Sequence, residues 1–206
     1  CHGSDGKKFN HFNASLLEAS FMTGLERNAD VVVMSSYAPT FAHIEGWQWR
    51  PDLIWFDNLR VMKTCSYYVQ QLYGTNKGDR VLPLTIDGKP VVNADGLNAT
   101  CAADDATGDI IIKIANVSPY SQVVNFELPG TVKTAHRTTL HSDNPMAENT
   151  LDTPETVVPV TEEVDMEPVS EPENPWILGV RKAEDNKITL SERLGGRTFA
   201  VYRFHR

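Results

Sequence analysis

Long hydrophobic runs are missing from this 206-residue chain: the longest uninterrupted aliphatic stretch is four residues, Val31 to Met34, and Ile110, Ile111 and Ile112 make only three before Lys113 breaks the run. A membrane helix needs about 20 apolar residues in a row, so no membrane partner is expected. Basic charge is also short, with 19 Lys and Arg against 27 Asp and Glu, a net charge of −8. A nucleic-acid partner is excluded on the same ground, because phosphate backbones need clustered Lys and Arg. Cysteine is sparse, at three residues (Cys1, Cys65, Cys101) with no C-x-x-C spacing. That excludes a disulfide framework and a zinc site, and leaves three unrelated thiols. There is no Gly-rich phosphate loop, no G-x-S-x-G elbow and no H-E-x-x-H, so no cofactor or metal is expected.

What is present is concentrated early. Residues 27–58 read RNADVVVMSSYAPTFAHIEGWQWRPDLIWFDN. The apolar run Val31–Met34 does not alternate, which predicts a strand buried on both faces, as in a parallel sheet covered by helices. Pro39 ends the ladder. The loop that follows carries Trp47 and Trp49, with Trp55 in a second apolar run, Leu53–Phe56, that closes on Asp57 and Asn58. Flat aromatic faces beside hydrogen-bonding groups suit a carbohydrate, although the same tryptophans can plug a seam, Trp55 above all.

Around this stretch the pattern is helix, strand, loop, helix. Leu17, Phe21 and Leu25 recur at i+4 and predict a helix from about Ala14 to Arg27, capped by Asn10 or Asn13 and closed by a left-handed Asn28. A shorter helix is predicted from Ser66 to Tyr73, stopped by Gly74. The preceding CHGSDGKKFNHFN is a polar loop in which His2 and His11 read as solvated histidines or as site residues. After Asn76, prolines and glycines punctuate short β-like runs. LNATCAA and DIIIKIANV flank DDATG as a hairpin, and SQVVNFEL, TVKTAHRTTL, NKITL and TFAVYRF are further strands, the pattern of an antiparallel sandwich. The acidic stretch from Glu162 to Glu173 reads as a solvated loop; it lacks the alternating spacing of a calcium loop. Asn-x-Ser/Thr triplets at Asn13, Asn98 and Asn116 lean toward an extracellular or periplasmic location over a cytoplasmic one.

Glycoside hydrolysis needs two carboxyl groups facing one bond. Glu18, Glu26 and Glu45 are the carboxylates near the aromatic loop, and they form no convincing pair: two lie on the first helix and Glu45 has no partner.

The blocks EASFMTGLERNADVVVMSSYAPTFAH, GWQWRPDLIWFDN and SYYVQQLYGTNKG resemble the C-terminal third of the α-L-arabinofuranosidases of glycoside hydrolase family 51. The likeness continues through DGLNATCAADDATGDIIIKIAN and HSDNPMAENTLDTPETVVPV, so it covers nearly the whole chain. The resemblance implies an α/β part followed by an all-β part: the terminal portion of a (β/α)8 barrel, with its last strand and flanking helices, in residues 1–76, and a jelly-roll-like antiparallel β-sandwich in residues 77–206. It implies a retaining enzyme that removes terminal α-L-arabinofuranosyl groups from arabinoxylan or arabinan, often as a homo-oligomer. The family's nucleophile and acid/base Glu would both lie upstream of Cys1, so this chain is read as an inactive piece of a longer protein with no catalytic residue of its own. By position, His2, Ser36, Tyr37, Phe41, Trp47 and Trp49 would line the sugar pocket. Where some relatives have a sugar-contacting Gln, the nearest position here is Pro39, and the last strand follows LGGR rather than a Pro-rich turn. The alternative reading is a non-catalytic carbohydrate-binding sandwich with a helical extension.

Overall fold

The computed structural model describes residues 11–170, 174, 178–182 and 185–206. The first element is helix α1 (Phe12–Arg27). Its N-cap is His11, whose ring Nδ1 accepts from the Ala14 N–H at 3.2 Å, in place of either asparagine. Its C-cap, Asn28, has φ −104° rather than a left-handed value, because its side-chain amide reaches back to the Gly24 carbonyl at 2.7 Å and closes the end directly.

Three short strands follow, β1 (Phe41–His43), β2 (Ile54–Phe56) and β3 (Val61–Lys63), with β1 parallel and β3 antiparallel to β2. Ala42, Trp55 and Met62 face one way and form a small core with Leu151. Helix α2 (Cys65–Thr75) is capped by Thr64, whose hydroxyl accepts from the Tyr67 N–H at 3.2 Å. It runs through Gly74 and ends at Asn76, whose amide donates to the Leu72 carbonyl at 3.0 Å.

The remainder is β-structure: β4 (Arg80–Leu82), a two-residue ribbon of β5 (Thr85–Ile86) and β6 (Lys89–Pro90), then β7 (Leu97–Ala103), β8 (Ile110–Asn116), β9 (Gln122–Pro129), β10 (Thr134–His141), β11 (Val160–Val164), β12 (Gly179–Lys182), β13 (Lys187–Leu194) and β14 (Thr198–His205). They form a six-stranded sheet in the order β11-β10-β14-β8-β7-β4 and a three-stranded sheet in the order β12-β13-β9. Every pairing within these two sheets is antiparallel.

Strands β7, β8 and β14 are buried along nearly their whole length because the large sheet is covered on both faces. Side chains alternate across a strand. Ile110, Ile112 and Ile114, with Ala200, Tyr202 and Phe204, therefore face the three-stranded sheet and meet Phe126, Leu128 and Leu190. Ile111 and Ala115, with Phe199 and Val201, face the other way and meet Phe12, Leu16, Val69 and Tyr73 of the two helices. Tyr73 stacks on Phe199 with centroids 5.4 Å apart and donates its hydroxyl to the Ala19 carbonyl at 2.8 Å, tying α1, α2 and the sheet together. Two-sided burial, which commonly marks a parallel sheet, here belongs to an antiparallel one with helices on one side and a sheet on the other.

Three sequence expectations are corrected. Val31–Met34 is not a buried strand. It begins in the turn after α1, where the Val31 and Val32 N–H groups donate to the Asn28 carbonyl at 3.0 and 2.8 Å, and it has no strand beside it; Val31, Val33 and Met34 are 76%, 91% and 85% exposed. Without a neighbour to take the backbone hydrogen bonds, apolar character alone does not make a strand. The Leu17–Phe21–Leu25 stripe is not the buried face of α1 either. Leu17 and Phe21 are about half exposed, and the face carrying Phe12, Leu16, Ala19 and Thr23 is the one against the sheet. The acidic stretch is not all loop, since its first part is β11, held to β10 by the register Val160↔Thr139 through Val164↔Ala135 and by an Arg137–Glu162 ion pair at 2.7 Å. Glu171 to Glu173 lie outside the described residues.

Two of the three sequon asparagines have structural roles. Asn116 is fully buried, its amide donating to the Tyr120 and Gly195 carbonyls at 2.9 Å each. Asn98 is buried, its side-chain oxygen accepting from the Asn93 N–H at 2.9 Å. The Asn116 amide, donating twice inside the fold, is not free to carry a glycan.

Candidate active-site wall

The residues singled out by sequence fall into two groups. Ser36 and Tyr37 lie on the irregular segment after α1 and, with Glu18, Phe21, Met22, Leu25 and Gln70, line a cavity of about 100 Å³. Beside it a wider cleft of about 510 Å³ is lined by Met22, Leu25, Val33, Met34, Tyr73, Lys77 and Val81 among others. Phe41, Trp47 and Trp49 do not line the cavity with Ser36 and Tyr37. Phe41 is an exposed residue of β1, at 65%. Trp47 packs edge-on against the buried Trp55, centroids 6.0 Å apart, with the Arg50 guanidinium 4.0 Å over its ring. Trp49 is 70% exposed. His2 lies outside the described residues.

Trp55 resolves as the plug of the small core, at 1% exposure, whereas Trp47 and Trp49 keep faces toward solvent. The cation over Trp47 fixes its ring in place by a contact worth about 0.5–2 kcal/mol. What this surface offers chemically is two indole faces and a guanidinium, a stacking platform rather than a proton-transfer site.

The carboxylates take other work. Asp57 accepts from the Leu59 N–H at 2.8 Å and from the Arg60 N–H and side chain at 2.6 and 2.9 Å, and these bonds hold its carboxyl down at about 2. It locks the turn between β2 and β3 and is no proton donor near neutrality. Glu26 is engaged by the buried Lys113, Nζ to Oε1 2.5 Å. Glu45 is exposed. Glu18 is buried at 5% and lines the small cavity. It lies eight residues from Glu26 on the same helix, about 12 Å of helical rise, which is beyond the roughly 5–9.5 Å that separates a glycosidase pair. One buried carboxylate was not singled out from the sequence. Asp52, 2% exposed behind Pro51, is pushed above its ordinary value by burial, with Arg50 pulling the other way. Only its place between a proline and an apolar run hinted at burial. Among the described residues no group of three or more His, Cys, Asp or Glu is placed to hold a metal ion.

The fold has close counterparts among solved structures. An arabinose-bound α-L-arabinofuranosidase of glycoside hydrolase family 51 superposes with a TM-score of 0.76 at 28% identity, covering 96% of this chain and 28% of that one. The α-L-arabinofuranosidase of Thermotoga maritima, at 12% identity and a TM-score of 0.68 over 98% of this chain, shows the same fold. The class is thus that of the mostly β C-terminal region of family 51 glycosidases.

Residues 4–172 match the family described as the α-L-arabinofuranosidase C-terminal domain, and the chain belongs to it. Named relatives agree. The extracellular exo-α-L-arabinofuranosidase of Streptomyces chartreusis is 44% identical over 52% of this chain and 13% of its own length. The α-L-arabinofuranosidase 1 of Arabidopsis thaliana is 35% identical over 71% of this chain and 22% of its own. The chain therefore spans less than a quarter of the length of these relatives.

Proposed function

We propose that this chain is the C-terminal part of a retaining α-L-arabinofuranosidase acting on terminal non-reducing α-L-arabinofuranosyl groups of arabinoxylan or arabinan, and that the chain by itself does not turn over substrate. In this reading residues 1–76 end a (β/α)8 barrel and residues 77–206 form the sandwich. The nucleophile and acid/base Glu belong to a segment upstream of Cys1. His2, Ser36, Tyr37, Phe41, Trp47 and Trp49 supply one wall of the sugar pocket, and the enzyme works outside the cytoplasm, as the relative named extracellular does.

The observation that carries the reading is a concentration of exposed apolar side chains between α1 and β3, denser than the scattered exposed apolar residues of the β part. Leu17, Phe21, Val31, Val33, Met34, Phe41, Leu59 and Val61 are all at least 45% exposed. They lie between Leu17 and Val61, while β7, β8 and β14 are buried. A barrel closes with about 250 residues, and a run such as Val31–Met34 gains a place in a sheet only when neighbouring strands are supplied. The separation of Glu18 and Glu26, and the engagement of Glu26 by Lys113, support inactivity of the isolated chain: removing both catalytic carboxylates removes the reaction path itself.

The test is an assay of the purified 206-residue chain on 4-nitrophenyl α-L-arabinofuranoside. No turnover above background is expected, and turnover at the rate of an intact arabinofuranosidase would sink the proposal. The alternative, a free-standing carbohydrate-binding sandwich, is favoured by the outward faces of Trp47 and Trp49. It predicts a monodisperse monomer in light scattering that binds arabinoxylan oligosaccharides in calorimetry, whereas the partial-barrel reading predicts self-association through the exposed face.

A further inference from the structure

The two sheets of the sandwich differ in width, and the mismatch leaves an opening at one end. Among the described residues β12 stops at Gly179, opposite Ser191, whereas β13 continues beside β9 as far as Leu194. Alternation along β10 puts Arg137 and Thr139 on the same face of the large sheet as the core residue Ala135. The register sets Glu162 and Val160 of β11 directly opposite Arg137 and Thr139, on that same face. The Arg137 guanidinium reaches both sheets, Nη1 to Glu192 of β13 at 2.6 Å and Nη2 to Glu162 at 2.7 Å. Arg137, Thr139, Val160 and Glu162, with Arg193 and Leu194 from the end of β13, line a cleft of about 370 Å³. That is within the size range of ligand sites, roughly 300–1,000 Å³.

The hydrogen-bonding groups decide what this cleft suits. Arg137 is matched by Glu162 and Glu192, so it offers no net charge to an anion. Among the described residues the Thr139 hydroxyl and the Arg193 guanidinium have no partner. Glu162 meets Arg137 through Oε2, which leaves Oε1 as an acceptor. A guanidinium donates only, a carboxylate accepts only, and a threonine hydroxyl does both. Such a mixture matches a row of hydroxyls, each of which donates and accepts. It matches neither a phosphate, which wants donors alone, nor a metal ion, which wants acceptors alone. Val160 and Leu194 add apolar contact for the C–H face of a sugar ring, and no Trp, Tyr or Phe lines the cleft. Thr198 of β14 is also part of the lining. The floor thus runs from β11 across β10 to β14, about 10 Å at the usual strand spacing, room for a short chain of rings and more than a single ion needs.

We propose that this cleft is a second, non-catalytic carbohydrate site that holds a short stretch of a neutral pentose chain, with Arg193 and Thr139 donating to its hydroxyls and Glu162 accepting from them. The choice of a pentose rests on the proposed function; the choice of a neutral, hydroxyl-rich ligand rests on the cleft alone. The site is on the face of the large sheet turned away from α1 and α2. It shares no lining residue with the aromatic loop, so a polymer held here leaves that loop free to engage a side group.

Titration of the full 206-residue chain with xylotetraose and with arabinotetraose tests it, followed by calorimetry and by methyl resonances. At least one of the two is expected to bind with one-to-one stoichiometry and to shift the methyl resonances of Val160 and Leu194. Thr139→Val and Arg193→Ala each weaken that binding roughly three- to tenfold, the loss of one hydrogen bond. Thr138→Val, one residue along β10 and on the opposite face, does not. Trigalacturonate, the charged comparison, binds more weakly than the neutral chains. The cleft is overturned if neither sugar moves the Val160 and Leu194 resonances, a readout that needs no variant to fold, or if trigalacturonate moves them at lower concentration. Shifts confined to the indole resonances of Trp47 and Trp49 would likewise sink the cleft while leaving the sugar-pocket reading in place. Binding of cellotetraose at Val160 and Leu194, with neither pentose chain bound, would overturn the pentose assignment and point to the proposed function as its source of error.

Discussion

Lys113 and Glu26 form an ion pair across the interface of α1 and the large sheet, Nζ to Oε1 2.5 Å, with the Lys113 side chain fully buried and that of Glu26 17% exposed. Lys113 stands at the one polar position in the run Ile110–Ala115 and faces the helices rather than the sandwich interior. Burial pulls its ammonium below the usual lysine range, and Glu26 opposes that pull. Breaking one half of such a pair leaves a buried charge uncompensated, which costs about 3–5 kcal/mol, whereas replacing both partners by apolar groups is often neutral. Glu26→Gln is therefore expected to lower the urea midpoint sharply, and the double variant Glu26→Leu/Lys113→Met to recover most of it. Equal loss in both would mean that the pair contributes through packing and not through charge.

The Arg203 junction sets a pH limit. The Asp104 carboxyl is held below its ordinary value of 3.8, chiefly by the Arg203 hydrogen bond. For Asp109 burial pushes upward, but the bonds from Arg203 and His205 outweigh it and the carboxyl also ends below 3.8. A depressed folded-state value means the stabilisation is fully present above the unfolded value near 3.9 and is lost as pH falls through the folded one. The wild-type chain should lose stability steeply below about pH 4. Arg203→Gln should be less stable at pH 6 and show a flatter decline in acid. Parallel curves for the two proteins in thermal melts across pH 2.5–6 would rule this linkage out.

Much of the sandwich was legible because its strands carry period-two patterns and its turns carry glycine. SQVVNFEL is the clear case, alternating along its length; β7 and β8, buried at every position, were legible from the turn-rich DDATG between them instead, and the pairing of β13 with β9 had no local signal. The face of α1 was not legible. Leu17, Phe21 and Leu25 make a better apolar stripe than Ala14, Ser15, Ala19 and Thr23, yet the small residues lie against the sheet, where close approach to β7 and β14 favours them. The inward Trp55 was legible from its place inside the apolar run Leu53–Phe56, which the β2–β3 pairing turns toward Ala42 and Met62. The junctions Asp109–Arg203 and His136–His205 span 94 and 69 positions and appear only once the register of β8, β14 and β10 is known.

The buried thiols should be inert. Burial pushes both Cys65 and Cys101 up to about 12, so almost no thiolate forms near pH 8 and access is blocked as well. In a Cys1→Ser chain, labelling with a disulfide reagent at pH 8 should be negligible in buffer and reach two equivalents in denaturant. Rapid labelling of either thiol without denaturant would contradict the burial of β7 or of the start of α2.

Two glycines should respond differently to alanine. A Cβ on Gly196 would lie 2.3 Å from the Pro119 carbonyl oxygen and 2.4 Å from its carbon, backbone atoms that cannot swing aside. Gly88 has φ +73° but open space around it. Gly196→Ala should cost several times more than Gly88→Ala, whose penalty is the left-handed backbone alone, about 1–2 kcal/mol. Comparable midpoints in urea for the two variants would show that the turn between β13 and β14 shifts freely.

Trp55 and Trp49 separate stability from recognition. Trp55 is 1% exposed and fills the core formed with Ala42 and Met62, so Trp55→Ala removes a large buried side chain and should cost about 3–5 kcal/mol. Trp49 is 70% exposed, and Trp49→Ala should change stability by less than about 0.5 kcal/mol. If Trp49 helps form the wall of an arabinofuranose pocket, its loss shows in sugar binding instead. Measured in a chain joined to the catalytic segment that the proposed function requires, Trp49→Ala should weaken arabino-oligosaccharide affinity several-fold while leaving the melting curve in place. Unchanged affinity together with an unchanged melt would remove Trp49 from the site. A fall in the melt equal to that of Trp55→Ala would place it in the core instead.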